Sequence, residues 1–150
     1  METQTARAPS QRGQYLLFRV ARQDFAMDAS RVRGIMPAQE LVPIDSPHSW
    51  ICGFASLLGR DFPVVDLRGK LGITRGSHGR LPCVVVVEVA SRNGTRLLGF
   101  VADRVSDIVT LRDRDFHNGT VRTGGRSRRV LDPNYILSEE ELISLWKLIP

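Results

Sequence analysis

The residues of this chain that could do chemistry are three histidines, two cysteines and a set of acids and arginines in mid-chain. His48 follows Pro47, His78 lies between Ser77 and Gly79, and His117 precedes Asn118-Gly119. The Pro, Gly and Asn around them predict turns, so the imidazoles read as solvated spacers and not as metal ligands. Cys52 in "WICGF" and Cys83 in "LPCVVVV" sit in apolar surroundings. They read as buried free thiols of a cytoplasmic protein. Two lone cysteines without paired histidines make a poor zinc site. Asp103 and Asp107 lie around Arg104 in "VADRVSD". An acid–base pair is conceivable there, but alternating polar positions on a strand surface explain them better. No G-x-S-x-G elbow is present, and "SLLGR" and "RTGGR" lack the Lys-Ser/Thr of a phosphate loop. No enzyme, cofactor or small-molecule substrate is expected. That leaves "GFASLLGRDFPVVDLRGKLG", Gly53 to Gly72, where Arg60, Asp66 and Arg68 come close together. They could be a catalytic cluster, a basic binding loop or the charges of a β-hairpin that serve an interface, with Asp66 and Arg68 at the turn that closes the stretch.

The elements that must position these residues are short strands. The chain has 150 residues, 42% hydrophobic and 25% charged, which suits one globular domain. Residues 1–13 are polar and aperiodic and predict a disordered tail ahead of a single domain, 14–150. "YLLFRV" is a buried strand, "ARQD" turns the chain, and "FAMD" returns it; "RVRGIM" follows around Gly34. "GFASLLG" and "DFPVVDL" predict a hairpin around Gly59-Arg60, with Pro63 at an edge or bulge because it has no N–H for a ladder. "DLRGKLG" closes as a turn or one helical turn, and "ITRGSHGR" reads as a flexible connector. "LPCVVVVEVA" is a strand buried on both faces, Asn93-Gly94 is a hairpin signal, and "RLLGFVADRV" and "SDIVTL" continue as strand. Ser138 with Glu141 forms a capping box ahead of Leu142, Leu145, Trp146 and Ile149 at helical spacing. The sum is an all-β chain with one C-terminal helix, and its strands fall into two groups as if two small barrels shared it.

No apolar run approaches the roughly 20 residues of a membrane helix, and the N-terminus lacks a signal peptide's apolar centre. The net charge is +5, and only Lys70 and Lys147 of the 21 basic residues are lysines. The alternative class raised by this charge is a basic β-barrel that binds nucleic acid. Single strands need aromatics interleaved with the basic residues. Phe18, Phe25, Phe62 and Phe100 instead lie in apolar strand contexts, and only Phe116 is near the arginine cluster. Nucleic acid is therefore not the expected partner. That cluster, "RTGGRSRR" with Arg122, Arg126, Arg128 and Arg129, has no acid within it and predicts an exposed mobile loop.

In order along the chain, these segments resemble the CheW family, the scaffold proteins of bacterial chemosensory signalling. "YLLFRVARQDFAMDASRVRGI" is similar to the family's opening hairpin, and "ICGFASLLGRDFPVVDLRGKLG" resembles its signature glycine, hairpin and Pro-Val-x-Asp-Leu-Arg. "CVVVVEV", "LLGFVADRVSDIVTL" and "VLDPNYILSEEEL" are similar to its later strands and closing segment. The resemblance implies two SH3-like β-barrel subdomains packed together, one over about residues 14–68 plus the C-terminal segment and one over about 80–125. It implies a non-catalytic adaptor that links the cytoplasmic tip of a methyl-accepting chemoreceptor to the regulatory domain of a CheA-type histidine kinase. The receptor-groove candidates are Val32, Ile35, Gly53, Val84, Gly99, Val101 and Val105. The kinase-contact candidates are Leu58, Arg60, Asp61 and Phe62. The family usually has Asn-Leu-Arg-Gly at the hairpin, whereas "SLLG" puts Leu58 at the arginine's place, and Gly34 stands where the family often has Glu. The resemblance implies that those two family residues face each other as an ion pair, here removed as a pair. The segment 112–129 is also short and polar. The expectation is an adaptor with weakened kinase and array contacts, similar to short accessory adaptors of motility pathways such as FrzB.

Overall fold

The computed structural model describes residues 12–46, 48–73, 81–92 and 94–149. The expected connector around Gly76 and Gly79, with His78, lies outside the described residues, as does most of the expected tail. Among the described residues, eleven strands form two sheets: β1 (Gly13–Val20), β2 (Gln23–Asp28), β3 (Val32–Pro37), β4 (Ile51–Leu57), β5 (Arg60–Val65), β6 (Cys83–Ser91), β7 (Gly94–Ala102), β8 (Arg104–Leu111), β9 (Phe116–His117), β10 (Thr120–Thr123) and β11 (Arg126–Val130). Two helices are added, α1 (Leu67–Leu71) and α2 (Glu139–Trp146). The first sheet runs β8-β1-β2-β11-β10-β9 and the second β3-β6-β7-β5-β4. Each sheet therefore takes strands from both sides of the connector.

The run of four valines explains how the sheets pack. Side chains alternate across a strand. Val84 and Val86 join Ala55, Phe62, Val64, Leu97 and Val101 in a core enclosed by the second sheet's own curl. Val85 and Val87 face the other way, into a shared core with Leu16, Phe18, Phe25 and Met27 of the first sheet and Leu142 and Leu145 of α2. The first sheet keeps its own inner core of Tyr15, Leu17, Ala26, Leu111 and Val121. Three apolar layers thus leave Val84 to Val87 fully buried with no polar side. Phe18 and Phe100 join the sheets, with ring centroids 5.1 Å apart.

Four sequence expectations are corrected. The β4–β5 turn is Leu58-Gly59, one residue earlier than expected, with φ of 51° and 80°; this two-residue turn matches the strand twist. Pro63 is not on an edge strand, since β5 lies between β4 and β7, but a bulge does lie next to it, where the β4–β5 register shifts between Ile51 and Gly53. Phe54, opposite Pro63, spends its N–H and C=O on Val42, so Pro63's nitrogen points toward β7, where the parallel ladder begins only at Val64. The arginine cluster is no mobile loop: β10 and β11 form a hairpin turned by Gly124-Gly125, both with positive φ. Asp103 is not a strand-surface carboxylate. It occupies the half-buried corner between β7 and β8 and accepts the N–H of Ala21, itself at φ 57° in the β1–β2 turn.

Helix α2 begins at Ser138, whose hydroxyl accepts the Glu141 N–H while the Glu141 carboxylate accepts the Ser138 N–H. Lys70 of α1 donates to Glu141 at 2.7 Å and lies 4.9 Å from the Trp50 ring centre. Burial alone would raise the Glu141 pKa, but the bonds from Lys70 and Ser138 reverse that and hold it below its ordinary value. A depressed carboxylate stabilises the fold above its unfolded pKa, and the contribution is lost as pH falls through the folded one. Glu141→Gln should therefore cost about 1 kcal/mol at neutral pH. The deficit should shrink as pH falls below the ordinary carboxylate range toward the lowered folded value, where the wild-type carboxylate is also protonated. Urea unfolding at pH 7 and pH 3 measures both; a deficit equal at the two pH values would contradict the assignment.

Candidate protein-docking site

The shared core is not sealed at its margin. In register, Ile35 pairs with Val85 and Pro37 with Cys83, so these residues share the sheet face that looks into the shared core. Val105 of β8 stands opposite Phe18 on the first sheet. Val32, Cys83 and Val105 are half-buried against this core, and Ile35 is 49% exposed. Two edge strands, β3 and β8, thus carry apolar side chains at the rim of the layer between the sheets.

This rim contains only part of the expected groove set. Val32, Ile35 and Val105 reach it. Val84 and Val101 instead point into the second sheet's own core, at 0% and 4% exposure. Gly99 is buried at the same core: a Cβ there would meet Val84, Phe62 and Val64 at 2.8–3.0 Å. Gly53 is buried against the Val42 backbone. Pro37 and Cys83 were missed. Their signal was the alternation that places them on the Ile35 face.

The β4–β5 hairpin divides in a similar way. Leu58 is 95% exposed at its tip, and Arg60 and Asp61 are exposed beside it. Phe62 is fully buried and supports the hairpin from inside, with no surface to offer a partner. Asp61 accepts the Ser56 hydroxyl across the hairpin. Leu58 does not face Gly34; Leu57 does, with its side chain 3.3 Å from where a Gly34 Cβ would lie.

Asp66 and Arg68 close the stretch as expected. The Asp66 carboxylate accepts the Arg68 backbone N–H at 2.9 Å, capping α1, and also accepts two guanidinium nitrogens at 2.7–3.2 Å. The hydrogen bond to Asp66 raises the Arg68 pKa above its ordinary value against the effect of burial, and the fields of Asp66, Asp103 and Cys52 add to it. The Asp66–Arg68 pair thus caps α1 at the end of β5. Burial, then Asp66, pushes the Cys52 thiol up to about 11, and burial, then Asp103, raises that of Cys83. Both therefore stay protonated and unreactive near neutral pH. His48 stacks on Trp50 with centroids 4.9 Å apart, and His117 is exposed on β9. Among the described residues, the His48 ring meets Trp50 and the His117 ring meets the Asn118 amide.

Residues 14–146 match the family model of the CheW-like domain. The chain belongs to this family. Among relatives, a "Chemotaxis protein CheW" of Rhizobium meliloti is 31% identical over 100 residues, covering 67% of this chain and 62% of its own length. The protein of that name from Thermotoga maritima is 26% identical over 136 residues, 83% of this chain and 87% of the relative. In fold, the CheW-like chain is similar to the scaffolding protein TtCheW of Thermoanaerobacter tengcongensis, with a TM-score of 0.72 at 16% identity over 85% of this chain and 89% of that one. The likeness supports the architecture of two SH3-like barrels and says nothing by itself of partners.

Proposed function

We propose that this CheW-like chain is a non-catalytic cytoplasmic adaptor of a chemosensory pathway. It links the cytoplasmic tip of a methyl-accepting chemoreceptor to the regulatory domain of a CheA-type histidine kinase. The observation that carries the reading is the apolar rim of Val32, Ile35, Pro37, Cys83 and Val105 between the two sheets. Such a strip suits the apolar face of a helix laid into a groove. The second contact is the β4–β5 tip with Leu58, Arg60 and Asp61. Leu58 stands fully in solvent at the place where the family usually carries arginine. Without that charge the tip offers an apolar side chain where a salt-bridged contact would need a guanidinium, so kinase binding is weakened while receptor binding is kept.

Isothermal titration of the chain with a CheA-type regulatory domain tests the kinase arm. Leu58→Arg should tighten binding by about tenfold, the scale of one well-placed charge pair. An unmodified chain that binds the kinase as tightly as an ordinary CheW, or a Leu58→Arg variant with unchanged affinity, contradicts the weakened contact.

A further inference from the structure

Three arginines on one face of the first sheet share one carboxylate, and a fourth stands beside them. The register sets Arg104 of β8 opposite Arg19 of β1, and Arg19 opposite Asp24 of β2. The parallel pairing of β11 with β2 brings Arg128 level with Asp24, one residue before Arg129 meets Phe25. Arg126, two residues before Arg128, points to the same side. This is the face of Leu17, Ala26 and Val121, opposite to the one that meets the shared core. Asp24 is 3.1 Å from Arg19, 3.3 Å from Arg126 and 3.8 Å from Arg128. Arg104 makes no hydrogen bond or ion pair among the described residues.

Asp107 of β8, opposite Leu17, is a second carboxylate of this face, so four guanidiniums against Asp24 and Asp107 leave an excess of two positive charges on a patch four strands wide. Two features set it apart from an ordinary solvated face. Arg19 and Arg104 are directly opposed like charges, an arrangement that costs stability in a sheet. The Arg128 side chain is only 11% exposed, and its Nε is buried with no hydrogen-bond partner. The first cost falls when an external anion sits between the Arg19 and Arg104 guanidiniums.

We propose that this face docks an acidic segment of a partner protein, whose Asp and Glu side chains bind Arg19, Arg104, Arg126 and Arg128. The guanidinium fork matches a carboxylate, and Asp24 already shows the face accepting one. Arg104 and Arg19 stand on adjacent strands about 4.8 Å apart, and Arg126 and Arg128 lie two strands beyond Arg19, within the span of one extended peptide that crosses the strands. A nucleic acid fits less well. No aromatic lies among the four arginines to stack a base; Tyr15 and Phe116 pack on each other, 5.3 Å between centroids. This surface is separate from the apolar rim, so the inference stands without the receptor reading.

Fluorescence anisotropy of the full chain with a labelled ten-residue peptide of alternating Glu and Thr tests it. The peptide should bind, and its Gln-for-Glu counterpart should not. Replacing the exposed Arg104 and Arg126 together by Ala should weaken binding about tenfold. Replacing Arg92 and Arg114, exposed arginines elsewhere, removes the same charge and should change it less than about twofold. Equal losses in the two double variants would show general charge attraction and overturn the proposal. So would tighter binding of a single-stranded oligonucleotide through Arg104 and Arg126, or no preference for the Glu peptide. Unchanged thermal melting of both double variants confirms that binding, not folding, is read.

Discussion

Val86→Asp leaves no cooperatively folded protein. Val86 is fully buried in the second sheet's own core, with Phe62, Val64 and Val84 among its neighbours in that cluster. Its cross-strand partners are Gly34 on one side and Gly99 on the other, so no side chain on either neighbouring strand can hydrogen-bond the new carboxyl. An unpaired buried carboxylate costs about 4 kcal/mol or more, and protonation only partly relieves this because the neutral acid still lacks a partner. A domain of this size has roughly 5–15 kcal/mol in all, and the lost packing adds to the deficit. Circular dichroism through a urea titration gives the result. A soluble variant with a sharp transition near the wild-type midpoint would mean that Val86 does not face this interior.

The second large effect is at Gly53. Its φ is +151° and it is buried where a Cβ would come within 2.3 Å of the Val42 carbonyl oxygen. That carbonyl accepts the Phe54 N–H, and the Val42 N–H donates to the Phe54 carbonyl, both at 2.8 Å. Gly53→Ala must therefore strain its own backbone and also push away the segment that covers β4. The expected cost is about 3 kcal/mol, the strain of the dihedral plus the loss of this bridge. Gly59→Ala is the control. Gly59 also has positive φ, but a Cβ there meets nothing within 4 Å, so only the conformational cost of about 1 kcal/mol remains. Equal destabilisation by the two alanines would remove the steric half of the argument.

Much of the fold was legible because the chain marks its strands and turns locally. Tyr15 to Val20, the valine run, the Asp66 turn and the Ser138–Glu141 box each carry a short-range physical signal. What was not legible is which of two interiors a buried side chain faces. Alternation shows that Val84 and Val85 point to opposite sides, but both sides are apolar, so no polar residue marks one as solvent. Val84, Gly99 and Val101 were consequently expected at a groove and lie inside a barrel, while Pro37 and Cys83 reach the rim. The arginine hairpin was obscured for a different reason. Its strands lack apolar alternation, and the acid that gathers Arg126 and Arg128 is Asp24, 102 residues from Arg126 along the chain. Leu58 was expected to stand across from Gly34, but Gly34 is covered by Leu57 while Leu58 stands in solvent.

The most direct test of the adaptor reading is to map where a receptor tip lands. Amide chemical shifts of the isotope-labelled chain, titrated with a chemoreceptor tip fragment, report contact residue by residue. The account predicts the largest changes at Val32, Ile35, Cys83 and Val105. It also predicts that Ile35→Asp, on a side chain with half its surface already in water, abolishes them without unfolding the chain. Shifts confined to the β10–β11 hairpin, or a tip that binds Ile35→Asp as well as the unmodified chain, would contradict it.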